Sequence, residues 1–169
     1  RDGSVMSWHL PLRPIRGPMR IVFIRHGERR KGEHDPALTS AGRRMARETA
    51  EWLEAQGVCP AHVLNTPTQR TRETAEEICL VFQAAARAER PESPEVDLDW
   101  EQLIEALESD PGAAAPIALV GHHPTVDLLL RRFGPAPATI PRQNFASALV
   151  LDRTATGWTI AEAWPGRAS

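Results

Sequence analysis

Ile21, Val22, Phe23 and Ile24 form an apolar run with no polar alternation, and the run stops abruptly at Arg25-His26-Gly27. β-Branched and aromatic residues in that pattern fit a strand covered on both faces, as in the middle of a parallel α/β sheet. The residues directly after such a strand sit at its carboxyl end, where open α/β sheets bind ligands. Gly27 lets the backbone turn tightly there or approach a ligand closely. An isolated Arg-His-Gly tripeptide is equally at home in an ordinary loop, so the case depends on the rest of the chain.

The pattern returns at Ile117 to Val120, which ends in Gly121-His122-His123-Pro124, with Pro124 suited to a first helical position. Between the two runs, Thr39 or Ser40 caps a helix whose Met45, Ala46, Thr49, Trp52 and Leu53 recur at three- and four-residue steps and which ends near Gln56-Gly57. Val63-Leu64 marks a second short strand, followed by a helix through Ala75, Ile78, Cys79, Val81 and Phe82. Arg70 lies in the first turn of that helix. A cation there opposes the helix dipole but strengthens an anion site, and such violations of local preference mark function. Further on, residues 88–95 read as an acidic loop, Val96-Asp97-Leu98 as a strand, Asp99 to Leu107 as an amphipathic helix and residues 111–116 as a linker. Ala146 to Leu151 and Trp158 to Ala163 read as a terminal hairpin. Residues 1–18, with Pro11, Pro14 and Pro18, form an irregular arm, and residues 19–169 form one domain. The carboxylates Glu73, Glu76 and Glu77 and the cations Arg43, Arg44 and Arg47 fit solvated helix faces.

A chain of 169 residues can bury roughly 70% of its unfolded surface, enough for a full core without staples. The two cysteines, Cys59 and Cys79, show no metal-ligand spacing and read as reduced residues, which points to the cytoplasm. A net charge of −2 argues against generic nucleic-acid binding, although Arg25, Arg29, Arg30 and Lys31 can still form a local anion site. No apolar run approaches a membrane span, so no membrane partner is expected.

Three strand-to-helix junctions thus carry Arg25-His26, Arg70 and His122, and a parallel sheet aligns such junctions along one edge. Two guanidinium groups suit a bidentate grip on phosphate oxygens, and two histidines suit one nucleophile and one polar partner. That combination describes a phosphoryl-transfer site that needs neither a metal nor another cofactor.

Four motifs stand in order: Arg25-His26-Gly27-Glu28, Leu38-Thr39-x-x-Gly42, Thr66-Pro67-x-x-Arg70-Thr71-x-x-Thr74-Ala75 and Gly121-His122-x-Pro124. With these motifs the chain resembles the histidine phosphatase superfamily, also called phosphoglycerate mutase-like, over roughly residues 19–164. The resemblance implies a three-layer α/β/α sandwich with a mostly parallel central sheet. It implies that His26 becomes a phosphohistidine while Arg25, Arg70 and His122 cradle the transferred group. Gly27, Glu28, Arg29 and His123 are weaker substrate-site candidates, and His123 is open between a site role and a helix cap. Short connections make the chain look most like the SixA-like phosphohistidine phosphatases. The implied substrate is a phosphorylated protein or a small phosphorylated metabolite. A small-molecule phosphomonoesterase and a phosphate-binding module without turnover are the alternatives. Two features depart from the branch. Pro36-Ala37 stand where many SixA-like sequences carry an arginine, and no general acid is evident, Glu28, Asp99 and Glu101 being weak candidates. Good leaving groups are therefore the expected preference.

Overall fold

A computed structural model of the protein describes residues 20–89, 116–134, 142–155 and 157–168. The opening apolar run is strand β1 (Arg20–Arg25), and all four of its central side chains are fully buried. It is followed by helix α1 (Ser40–Ala55), strand β2 (His62–Asn65), helix α2 (Gln69–Val81) and strand β3 (Ala86–Glu89). Strand β4 (Ile117–Gly121), helix α3 (His123–Phe133) and the strands β5 (Ala148–Thr154) and β6 (Gly157–Trp164) complete the described elements.

The strands make one six-stranded sheet in the order β3-β2-β4-β1-β5-β6. β3, β2, β4 and β1 run parallel, while β5 is antiparallel to both β1 and β6, so the terminal hairpin forms as expected. Alternate side chains of each strand face opposite sides, and both sides are covered. On one side Ile21, Phe23, Leu64, Leu119 and Leu149 pack with Val126 and Leu129 of α3. On the other, Val22, Ile24, Val63, Val120 and Val150 pack with Ala50 and Leu53 of α1 and Ala75 and Ile78 of α2. The result is the expected three-layer α/β/α arrangement. No helix of the described residues is long and apolar enough to cross a membrane.

Thr39 is the cap of α1, its Oγ1 accepting from the Gly42 N–H at 2.9 Å. The cap of α3 is His122, not His123, which becomes the first helical residue. One strand was not expected: residues 86–89 form the exposed edge strand β3, so the segment 88–95 is not loop at its start. The expected strand at Val96 to Leu98, the helix at Asp99 to Leu107, the linker and the arm at residues 1–18 lie outside the described residues.

The acidic side chains of α2 also require a correction. Glu73 and Glu77 are 9% and 6% exposed and are not a solvated face. They pair with Arg43 and Arg47 of α1 at 3.0 to 3.2 Å, and Glu73 Oε2 accepts the Leu38 N–H at 2.6 Å. The carboxylates are buried because two helices meet over them, and the ion pairs satisfy what burial would otherwise leave bare. Glu76 and Arg44 are exposed, as expected.

The turn after β1 is fixed by a backbone contact. A Cβ on Gly27 would lie 2.5 Å from the Gly42 carbonyl oxygen, and a Cβ on Gly42 would overlap the Glu28 carbonyl oxygen. Only hydrogen fits at either place, so the turn can rest directly on the first turn of α1. Gly42→Ala must push these backbones apart. The expected cost is about 1–3 kcal/mol, typical of overpacking, read as a lowered midpoint in chemical denaturation with an unchanged m-value. An unshifted midpoint would show that the contact is slack.

Candidate active site

β4 lies between β1 and β2, so the ends of the three strands adjoin. The His26 N–H donates to the Gly121 carbonyl at 3.0 Å and the Thr66 N–H to the Val120 carbonyl at 3.3 Å, stitching the first residue past each outer strand to β4. His26, His122 and Arg70 therefore converge, and Arg25 enters from the end of β1.

His26 is 6% exposed, and its Nδ1 lies 2.8 Å from the Gly27 carbonyl oxygen. A carbonyl only accepts, so Nδ1 carries the proton and Nε2 presents a lone pair. Burial drives the imidazole pKa down from 6.5 to about 3, against the Gly27 carbonyl and with help from Arg70, His122 and Arg25. The ring is a neutral base of defined tautomer, able to attack an electrophile without first losing a proton.

His122 stands beside it, ring centroids 5.7 Å apart and planes at 62°. Its Nδ1 is 3.4 Å from Arg70 Nη2 and its Nε2 is 2.9 Å from Thr66 Oγ1. Because a guanidinium only donates, the proton of the neutral ring sits on Nε2. Thr66 Oγ1 then donates to Thr71 Oγ1 at 2.9 Å, and Thr71 Oγ1 to the Thr66 carbonyl at 2.7 Å, so a chain of hydroxyls anchors the ring.

The two guanidinium groups are partly buried. Arg25 donates to the Gln143 carbonyl at 3.2 Å and lies 4.5 Å from the Phe145 ring centroid, a cation–π contact. Phe145 also stands 6.0 Å from the His26 ring. Burial pulls the Arg25 and Arg70 pKa values down, and the charge of Arg29 adds to this at both. Each leaves a buried Nε without a hydrogen-bond partner among the described residues. Two partly desolvated cations with unused donors form a site that an anion would complete.

Of the weaker candidates, Gly27 serves the scaffold: its N–H donates to Thr74 Oγ1 at 3.0 Å, and Thr74 Oγ1 donates to the Arg70 carbonyl at 2.7 Å. The Glu28 carboxylate accepts from Thr39 Oγ1 at 2.8 Å and faces the cap of α1. Arg29 is exposed beside the site and bridges Leu38 through the backbone. His123 is exposed, with Nδ1 3.4 Å from Asp127. Asp99 and Glu101 lie outside the described residues. Sequence reasoning missed Gln143, Phe145 and Asp35, whose Oδ1 accepts the Gln69 N–H at 2.9 Å and lies 3.9 Å from Arg70 Nη1. None belongs to a motif with local spacing. Among the described residues no group of three or more His, Cys, Asp or Glu side chains is placed to hold a metal ion.

The family model described as histidine phosphatase superfamily (branch 1) matches residues 21–97. No curated protein sequence matches the chain significantly. Among solved structures, a candidate phosphohistidine phosphatase SixA from Agrobacterium tumefaciens is 21% identical, covering 88% of this chain and 98% of its own with a TM-score of 0.67. The protein histidine phosphatase SixA in complex with tungstate is 22% identical, covering 86% and 96% with a TM-score of 0.68. A mycobacterial glucosyl-3-phosphoglycerate phosphatase is 18% identical, covering 89% and 100% with a TM-score of 0.62. At these identities the likeness is one of fold.

The His26 environment generates a direct test. Above pH 6.5 the ring is neutral folded or unfolded; between 6.5 and about 3 the unfolded chain binds a proton there that the folded chain refuses. This residue's contribution to stability therefore falls as pH falls through that window and levels off below it. Imidazole nitrogen NMR shifts should report His26 as neutral, protonated on Nδ1, from pH 8 down to 4.5. A His26 midpoint near 6.5 would refute the assignment.

Proposed function

We propose that the chain, whose residues 21–97 match the histidine phosphatase superfamily (branch 1) model, is a phosphatase of that superfamily, metal-independent and working through a phosphohistidine formed on His26. The observation that carries this reading is the neutral, tautomer-locked His26 beside two partly buried arginines with unused donors. His26 Nε2 attacks phosphorus while Arg25 and Arg70 hold the equatorial oxygens and stabilise their charge as the bonds exchange. His122, with its Nδ1 turned to Arg70 and its ring beside His26, lines the same pocket. Water then attacks the phosphohistidine, and the imidazole leaves neutral because Nδ1 already holds its proton.

Arg29 adds a third cation, in place of the arginine missing at Pro36-Ala37. Its charge bears on both Arg25 and Arg70, which supports that role. As substrate we take phosphohistidine in a protein or another small phosphorylated molecule. The likeness to SixA supports the first, and that to the glucosyl-3-phosphoglycerate phosphatase supports a small phosphate ester. The single-domain reading of residues 19–169 is retained, supported by one sheet that draws strands from residue 20 to residue 164. A cytoplasmic location is part of the same reading, supported by two free cysteines, one of them exposed.

Two outcomes are expected. Labelled aryl phosphate, quenched without acid and peptide-mapped, should leave its phosphoryl group on His26, and His26→Ala should abolish both label and turnover; label on His122 would reverse the roles. Arg70→Ala should lower kcat/KM about 10²–10³-fold, the usual effect of deleting one preorganised charge-stabilising donor, without loss of fold. A loss under about tenfold with an unchanged melting temperature would take Arg70 out of the pocket.

A further inference from the structure

We propose that Asp35 is the general acid of the reaction, protonating the leaving-group oxygen on the side of the phosphoryl group away from His122. The proposal rests on the phosphatase reading above. Its basis is how the Arg70 guanidinium is shared: Nη2 faces His122 Nδ1 at 3.4 Å, and Nη1 faces Asp35 Oδ1 at 3.9 Å. The guanidinium that would hold a phosphoryl group thus has His122 at one terminal nitrogen and the Asp35 carboxylate at the other. In-line displacement places the leaving oxygen opposite the attacking nitrogen, and the proposal assigns that side to Asp35.

The other described carboxylates near the site are committed elsewhere. Glu28 is bound by Thr39, Glu73 is held by Arg43, Gln69 and the Leu38 N–H, and Asp127 faces His123. Asp35 has one firm hydrogen bond, from the Gln69 N–H at 2.9 Å, and its side chain is 48% exposed. Solvent can therefore deliver and remove its proton. In the free protein the carboxylate faces Arg70, and a phosphate dianion that takes over that guanidinium removes its partner.

The balance of the step is closed. The Asp35 carboxyl proton passes to the bridging oxygen as the P–O bond breaks and the His26 Nε2–P bond forms, and the alcohol departs neutral. In the second half-reaction the Asp35 carboxylate takes a proton from the attacking water. The N–P bond then breaks, leaving hydrogen phosphate, neutral His26 and protonated Asp35.

The test compares p-nitrophenyl phosphate, whose phenolate leaves without help, with ethyl phosphate, whose alkoxide needs a proton. Asp35→Asn keeps an oxygen for the Gln69 N–H but no transferable proton. It should lower kcat/KM for ethyl phosphate about 10²-fold or more while p-nitrophenyl phosphate loses less than about fivefold. Asp35→Glu should recover part of the ethyl phosphate activity. An equal loss on both substrates would mean that Asp35 only holds Arg70 or α2 in place, and would overturn the proposal. A lowered KM with unchanged kcat would overturn it too, making Asp35 an internal competitor for the anion pocket. Wild-type protein that cleaves the aryl ester but not ethyl phosphate would equally exclude an acid. Failure of the phosphatase reading looks different: wild-type protein would turn over neither ester and leave no label on His26.

Discussion

The turn after β1 rests on α1 through a backbone approach that leaves no room for a side chain at either Gly27 or Gly42. The geometry of His26 follows from that contact. With the turn seated, the Thr39 N–H reaches the Glu28 carbonyl at 3.0 Å while Thr39 Oγ1 caps the helix, so strand end and helix start form one rigid corner. The Gly27 N–H is then directed at Thr74, which ties the corner to α2 and to the Arg70 carbonyl. The Gly27 carbonyl is left to hold His26 Nδ1. Opening the corner would release the tautomer of His26 and the anchorage of Arg70 together, since both hang from Gly27.

Electrostatics work in the opposite direction, because the site gathers like charges. Arg25 and Arg70 are both partly buried, and the charge of Arg29 repels each of them. Two unit charges at about 4 Å interact by roughly 4 kcal/mol at an effective dielectric constant near 20, so crowded cations need either counter-charges or a rigid frame. The protein uses both. Phe145 and the Gln143 carbonyl hold Arg25, Asp35 faces Arg70, and the buried network of Glu73, Glu77, Arg43 and Arg47 clamps α2 to α1. On the proposed reading, an incoming phosphate dianion offsets the repulsion that Arg29 exerts on both.

How much of this is legible in the sequence follows from how local each signal is. β1 and β4 are legible because a strand covered on both faces must be apolar throughout, and Arg25, His26 and His122 are legible because they end or directly follow such strands. Arg70 shows itself as a cation at a helix start. β3 reads Ala-Arg-Ala-Glu and escapes notice because an exposed edge strand needs no apolar side chain. Glu73 and Glu77 are missed for the converse reason: a carboxylate buried by a neighbouring helix carries the same local pattern as one facing water. Asp35, Gln143 and Phe145 act only through the fold, each brought to its arginine from another part of the chain.

The two histidines show how one residue type acquires two roles. His26 is buried, tied by Nδ1 to a carbonyl, and desolvation keeps its charge off, so its Nε2 keeps an unprotonated lone pair. His122 is bound the other way round. Its Nε2 is anchored to a hydroxyl chain that ends on a backbone carbonyl, and its Nδ1 faces the Arg70 guanidinium. Exchanging the roles would require His122 to give up Arg70 and His26 to find a donor in place of the Gly27 carbonyl, which cannot donate. The asymmetry therefore resides in the backbone. β1 ends against a carbonyl and β4 ends against Thr66 and Arg70, and the order of those strands in the sheet decides which imidazole presents Nε2 and which presents Nδ1 to the site.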